Sequence, residues 1–297
     1  MLRTILVPVD GSALAWRAVP YATRLARAAR ARLILLHATS PGGPEQPSPF
    51  ELTAMADGLR QSGISVEAVV YRVYHDDMAR AICDAARERA ADLIVMSTHG
   101  RGGLGRWLYG SVADAVLRQA EVPVLLVSAT CDHSWPTNRP PRLLVPLDGS
   151  EIAVGALKPA AELAGSLRAE LLLLRVIDSA AYPYLWSDAS TWKDPEPDTA
   201  EARQQLEQLA EPLRAIGRTV EVLTVFGSPT AVIASVADER GVDLIAMATH
   251  GRGGLARLVL GSVATATLQR ASVPLLAVRP VAVRQAAERA EALVAAT

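Results

Sequence analysis

Lysine is almost absent from this chain: of 297 residues and 30 basic side chains, only Lys158 and Lys193 are lysines, and neither sits in a glycine-rich stretch. A phosphate-binding loop closed by a Gly-Lys pair is thereby excluded. Cysteine is equally scarce. Cys83 and Cys131 are too few for a disulfide framework, and Cys131 with His133 is too small a set for a metal site. No apolar run approaches the roughly 18 residues that a membrane span needs. Met1-Leu2-Arg3-Thr4-Ile5 runs straight into a strand-like segment without signal-peptide layering, so a cytoplasmic location is expected. The formal charge of -1 lacks the basic excess that offsets phosphates, which argues against nucleic-acid partners.

What the chain has is a statement made twice. Thr98-His99-Gly100-Arg101-Gly102-Gly103-Leu104 returns as Thr249-His250-Gly251-Arg252-Gly253-Gly254-Leu255. A Gly-Ser-Val-Ala run follows each copy at the same distance, Gly110 to Ala113 and Gly261 to Ala264. A long polar glycine loop of fixed length beside a helix start suggests a pocket for an anion, because bare backbone amides and the positive end of a helix favour negative charge. Two copies imply two pockets. Neither cysteine has a counterpart in the other half.

Each half opens with a short apolar run ending in Asp-Gly-Ser: Thr4 to Val9 then Asp10-Gly11-Ser12, and Leu143 to Leu147 then Asp148-Gly149-Ser150. Helical periodicity follows over Ala13–Ala31 and Ile152–Ala169. Apolar runs then alternate with helical ones. Second strands are expected at Leu33–His37 and Leu171–Val176, third strands at Ser65–Val73 and Thr219–Val225. Fourth strands follow at Asp92–Ser97 and Asp243–Ala248, and fifth strands at Val122–Val127 and Val273–Val278. Strands apolar throughout and alternating with helices read as α/β: two tandem, doubly wound, parallel five-stranded sheets. The expected divisions are 1–129, a linker over 130–141, 142–280, and a helical tail over 281–297. Half two carries about 13 extra residues between its second and third strands, where Tyr182, Tyr184, Trp186 and Trp192 read as a long surface loop, packed against the second domain or else forming a lid or a partner contact.

In open α/β sheets ligands bind beyond the carboxyl ends of the strands, where the strand order switches direction. The Asp-Gly-Ser turns and the glycine loops both lie there, so each pair is expected to converge on one crevice.

With Asp-Gly-Ser after strand one and a Gly-x9-Gly-Ser loop after strand four, both halves resemble the universal stress protein family, over nearly the whole chain. The family's nucleotide pattern is Gly-x2-Gly-x9-Gly-[Ser/Thr]. Gly100-x9-Gly110-Ser111 and Gly251-x9-Gly261-Ser262 match its last three elements, while Ser97 and Ala248 replace its first glycine. The resemblance implies a Rossmann-like fold and an adenine nucleotide, ATP or ADP/AMP, with Mg²⁺ on the phosphates. Adenine would lie near Pro8 and Ala38 in half one and near Pro146 and Val176 in half two. Asp10 and Asp148 would accept from the ribose. The phosphates would lie along Gly100 to Gly103 and against Ser111, Val112 and Ala113, or along Gly251 to Gly254 and against Ser262, Val263 and Ala264. The resemblance also implies that the fifth strands pair with each other, as an intrachain pseudo-dimer.

The residues themselves support parts of this. Ser111 and Ser262 sit where helix N-caps are expected, and Arg101 and Arg252 supply cations in place of the absent lysine. His99 and His250 repeat without a repeated nucleophile or carboxylate partner, so a ligand-contact or loop-ordering role is expected rather than catalysis. The aspartates also fit an ordinary turn before a helix. Three functional readings stand open: a stress-linked regulator that binds nucleotide in one or both halves, a slow ATP hydrolase, and a nucleotide-free dimerising scaffold. The tail is read either as support for a homodimer or as a fraying helix.

Overall fold

Strands and helices alternate through the computed structural model of the chain, which describes residues 2–39, 48–73, 77–98, 110–131, 135–181, 196–249 and 260–279. In half one, β1 (Thr4–Pro8) leads to α1 (Ala13–Trp16), α2 (Ala18–Ala29), β2 (Arg32–Thr39), α3 (Pro49–Gln61) and β3 (Val66–Arg72). Then come α4 (Met78–Glu88), β4 (Leu93–Ser97), α5 (Ser111–Gln119) and β5 (Val124–Val127). Half two repeats the plan with β6 (Arg142–Pro146), α6 (Glu151–Val154), α7 (Leu157–Leu167), β7 (Glu170–Asp178), α8 (Glu196–Ala215) and β8 (Val220–Gly227). It closes with α9 (Pro229–Glu239), β9 (Leu244–Ala248), α10 (Ser262–Arg270) and β10 (Leu275–Val278).

The strand order is β3-β2-β1-β4-β5-β10-β9-β6-β7-β8 in one ten-stranded sheet. Neighbours within each half run parallel, and the two halves join where β5 and β10 pair antiparallel, with Leu126 opposite Leu275, Leu125 opposite Leu276 and Val124 opposite Ala277. Both strands are buried over their whole length, and an unpaired apolar edge of this kind would recruit another strand. The two expected sheets are thus one continuous surface.

Alternating side chains of the strands feed two apolar layers. Ile5, Val7, Leu33 and Leu35 pack with Leu25 of α2 and Leu52 of α3, while Leu6, Ile34, Leu36 and Ile94 pack with Ile82 of α4 and Val116 of α5. Half two repeats both layers, with Leu163 of α7 and Leu206 of α8 on one face and Ile233 of α9 and Leu268 of α10 on the other. Each fully buried leucine or isoleucine contributes about 1.5–3 kcal/mol relative to exposure.

One local expectation is corrected. The long helix after each first strand is broken, into α1 and α2 in half one and into α6 and α7 in half two. Proline is the cause: Pro20 and Pro159 stand third in α2 and α7, so each lacks an amide hydrogen, and its ring displaces the carbonyl four residues back, on Trp16 or Gly155. The segment between the halves is a packed strap. Trp135 is buried, stacks edge-on against Tyr21 with centroids 5.3 Å apart, and donates its indole N–H to the Asp243 carbonyl at 2.9 Å. Arg24 donates to the Trp135 carbonyl at 2.7 Å, and Arg17 to the Ala129 carbonyl at 2.8 Å. Buried Asp243 holds Arg139 through both carboxylate oxygens.

The order of strands places the crevices. From β1 the chain moves outward through β2 and β3, then returns to the other side of β1 as β4; β6 and β9 are related in the same way. Each reversal leaves a gap at the carboxyl ends of the two central strands.

Candidate nucleotide site

At the end of β1 the chain turns through Asp10-Gly11-Ser12. Asp10 Oδ1 accepts the Ser12 amide hydrogen at 2.9 Å. In half two, Asp148 Oδ1 accepts from the Ser150 amide at 2.9 Å and from its hydroxyl at 2.6 Å. Gly11 and Gly149 both take φ of +80°, a region that glycine occupies without a steric cost. Ser12 and Ser150 then cap α1 and α6, accepting from Ala15 N–H at 3.1 Å and Ala153 N–H at 3.2 Å. Both aspartates therefore build the turn themselves, and both remain half-buried at the edge of the sheet.

Across the gap, β4 ends at half-buried Ser97 and buried Thr98, and β9 at half-buried Ala248 and buried Thr249. The Thr98 carbonyl accepts from Gly110 N–H at 2.5 Å, and the Thr249 carbonyl accepts from Gly261 N–H at 2.6 Å. These bonds set the start of α5 and α10 directly beside the ends of β4 and β9.

One expectation changes here. The N-caps are Gly110 and Gly261, and Ser111 and Ser262 occupy the first helical position, so neither helix has a side-chain cap. The amides of Ser111, Val112 and Ala113, and of Ser262, Val263 and Ala264, belong to first turns that offer them no intrahelical acceptor. Ala113 and Ala264 are buried, which anchors each first turn to the sheet. The first turn of α5 also carries Asp114, ion-paired to Arg118, whereas that of α10 has no acidic residue. Gly261 has φ of −57°, open to any residue, and a Cβ there would meet the Thr249 carbonyl at an ordinary 3.6 Å. Among the described residues nothing demands glycine at this point.

Pro8 and Ala38 lie at the same edge, opposite Leu36 and Tyr71, as do Pro146 and Val176, opposite Leu174 and Val225. The structure thus brings together Pro8, Asp10, Ala38, Ser97, Gly110, Ser111, Val112 and Ala113 in half one, and their counterparts in half two. His99, Gly100, Arg101 and Gly103, and His250, Gly251, Arg252 and Gly254, lie outside the described residues. So do the aromatics between 182 and 192 and the tail over 281–297.

Two further residues brace the turns. Buried His37 donates its Nδ1 hydrogen to the Val9 carbonyl at 3.0 Å. At the matching place in half two, Arg175 lays its guanidinium against Gly149, where any Cβ would fall 2.2 Å from Nη1. The two are offset from each other by the same spacing as Asp10 and Asp148, and each lies against the turn after the first strand of its half. Among the described residues no group of His, Cys, Asp and Glu forms a metal site.

The model of the universal stress protein family matches the chain twice, over residues 1–128 and 141–279. The chain belongs to the universal stress protein family. A universal stress protein of Mycolicibacterium smegmatis is 29% identical over 93% of this chain and 97% of its own length. Universal stress protein Rv2005c of Mycobacterium tuberculosis is 31% identical over 64% of this chain and 62% of its own length. A Thermus aquaticus member is 38% identical over 43% of this chain and 99% of its own length. Among solved structures, a universal stress protein from Archaeoglobus fulgidus superposes with a TM-score of 0.67 at 21% identity, covering 93% of this chain and 96% of that one. PA1789 from Pseudomonas aeruginosa, a protein of unknown function, gives 0.70 at 19% identity over 98% and 97%. These two likenesses establish the shared fold. In this tandem universal stress protein, each half sets an aspartate turn and an uncapped helix start on either side of one gap. No helix among the described residues is long and apolar enough to cross a membrane.

Proposed function

We propose that this universal stress protein binds an adenine nucleotide, ATP or ADP/AMP, at the carboxyl edge of its sheet, and that occupancy is a regulatory signal in a stress response. The observation that carries the reading is the pair of helix starts with glycine at the N-cap. No side chain caps them, and at Gly261 neither the backbone conformation nor packing among the described residues calls for glycine, so the missing Cβ leaves room for a ligand's oxygens to reach the first-turn amides. Asp10 and Asp148 lie at the same strand ends and would accept from ribose hydroxyls. Pro8 with Ala38, and Pro146 with Val176, offer the apolar surface a base requires. The donor set of backbone amides suits phosphate, and Mg²⁺ bound to the phosphates would add the positive charge that lysine does not supply.

The test is to purify the protein without added nucleotide, denature it, and identify any released small molecule by chromatography and mass spectrometry. ATP or ADP near one or two moles per chain supports the reading and counts the pockets. An empty protein with no thermal shift in Mg-ATP refutes it in favour of the scaffold. ADP accumulating catalytically from added ATP would move the assignment to a hydrolase.

A further inference from the structure

The antiparallel seam reaches beyond the strands it joins. Because Ala277 lies opposite Val124, Arg279 falls opposite residue 122, beside the exit of α5. By the same register, with Leu275 opposite Leu126, Thr130 falls opposite Ala271, the C-cap of α10. The side chains use this placement. Arg279 Nη1 donates to the carbonyls of Arg118 and Ala120, the latter at 3.3 Å, and Ala120 is the C-cap of α5. Thr130 Oγ1 donates to the Ala271 carbonyl at 3.0 Å. Each helix whose first turn borders a candidate phosphate site is therefore held at its far end by a side chain from outside its own half, Arg279 of half two on α5 and Thr130, the first residue after half one, on α10. The two clasps differ in chemistry, a guanidinium on α5 and a hydroxyl on α10.

We infer that Arg279 is a positioning residue for the half-one pocket and Thr130 for the half-two pocket, so that each phosphate cradle is set from outside its own half, by half two on α5 and by the first linker residue on α10. This rests on the nucleotide reading above. α5 and α10 are nine residues each, too short to be stable helices in isolation, and their placement depends on what grips them. A cation on the last carbonyls also complements the negative end of α5, which a hydroxyl does less well for α10. Half one is accordingly the pocket more dependent on its clasp. A shift of either helix along its axis moves the amides that meet the phosphates, and those amides bind only at hydrogen-bond distance.

The experiment uses the full chain with one pocket blocked at a time. Gly261→Leu leaves half one to report, and Gly110→Leu leaves half two, with Mg-ATP as the probe in calorimetry. In the first background Arg279→Met is expected to weaken Mg-ATP about fivefold or more, and Arg279→Lys to recover most of the loss. In the second background the same substitution is expected to change affinity by less than about twofold, while Thr130→Val weakens it by about two- to fivefold. General damage to the fold would lower both pockets together, so an equal effect on both, or no effect on half one, overturns the inference. If neither parent background binds Mg-ATP, the nucleotide reading falls separately. Hydrogen exchange then decides the clasp: the bonded amides 115–118 of α5 exchanging about fivefold faster in Arg279→Met, with 266–269 of α10 unchanged, supports it, and equal exchange in both overturns it.

Discussion

Replacing Gly261 by leucine separates what the chain needs from what a ligand needs. The backbone at 261 has φ of −57° and ψ of 159°, which leucine adopts freely, and the first atom added would sit 3.6 Å from the Thr249 carbonyl, in ordinary contact. The cost to the unliganded protein is then the poorer N-cap alone, about 0.5–1 kcal/mol. The leucine side chain projects into the space beside the first turn of α10, where the phosphates are proposed to sit. A ligand at about 100 times its dissociation constant stabilises its site by about 2.7 kcal/mol, or roughly 5–10 °C in the melting temperature of a domain this size. Differential scanning calorimetry with and without saturating Mg-ATP should show Gly261→Leu unfolding within a few degrees of the parent when empty, with the nucleotide shift of half two lost. Combined with Gly110→Leu, all nucleotide-dependent stabilisation should vanish. An unliganded loss above about 3 kcal/mol would mean that the chain itself requires the glycine. A double variant that kept its full shift would place the nucleotide elsewhere, and either result would refute the reasoning.

Two other outcomes follow from packing and burial. Trp135→Ala removes a buried indole, its edge-on contact with Tyr21 and its bond to Asp243, and should cost about 3–5 kcal/mol in urea unfolding followed by circular dichroism. A double-mutant cycle with Tyr21→Ala should return about 0.5–1.5 kcal/mol of coupling, and a loss under about 1 kcal/mol for Trp135→Ala alone would show that the strap is only a tether. Burial pushes the Cys83 thiol up from 9.0 to about 11, because the apolar surroundings on α4 disfavour the thiolate, with the Asp84 charge adding to the effect. The native protein should therefore resist alkylation at Cys83 at pH 8, measured by mass spectrometry, and react once unfolded. Since the folded value lies above the unfolded one, the contribution of the neutral thiol is complete below pH 9 and is lost as pH rises toward 11. The parent should lose urea stability over that window faster than Cys83→Ala, and parallel curves would contradict the assignment.

The strands were legible because a strand buried on both faces must be apolar at every position, and such runs survive in sequence without any partner in view. Leu33 to Leu36 and Leu171 to Leu174 are of this kind, and the repeated Asp-Gly-Ser turns mark where they end. The same local logic located the candidate site, since glycine and aspartate at a strand end act through their own backbone. The helix breaks at Pro20 and Pro159 were equally local and stood in the sequence, yet helical periodicity masked them because apolar spacing continues across a break. The cap was misplaced by one residue because Ser-after-Gly fits either position, and only the extended backbone of Gly110, whose carbonyl accepts the first helical bond from Asp114 N–H, decides it.

By itself, then, the sequence determined the two α/β units, the order of their elements along the chain, and the sheet edge at which the Asp-Gly-Ser turns and the starts of α5 and α10 meet, because each follows from short-range periodicity and turn chemistry repeated in two copies. The pairing of the fifth strands, implied by the family resemblance, is what makes the two sheets one, and tertiary structure alone decided its antiparallel register, that the segment after β5 is pinned by Trp135 on Asp243, and that His37 and Arg175 lie against equivalent turns with unlike groups. Tertiary structure alone also set Arg279 on a helix of half one and Thr130 on a helix of half two. These contacts join residues more than a hundred positions apart through side chains that have no repeat, and their partners come within reach only once β5 and β10 have paired.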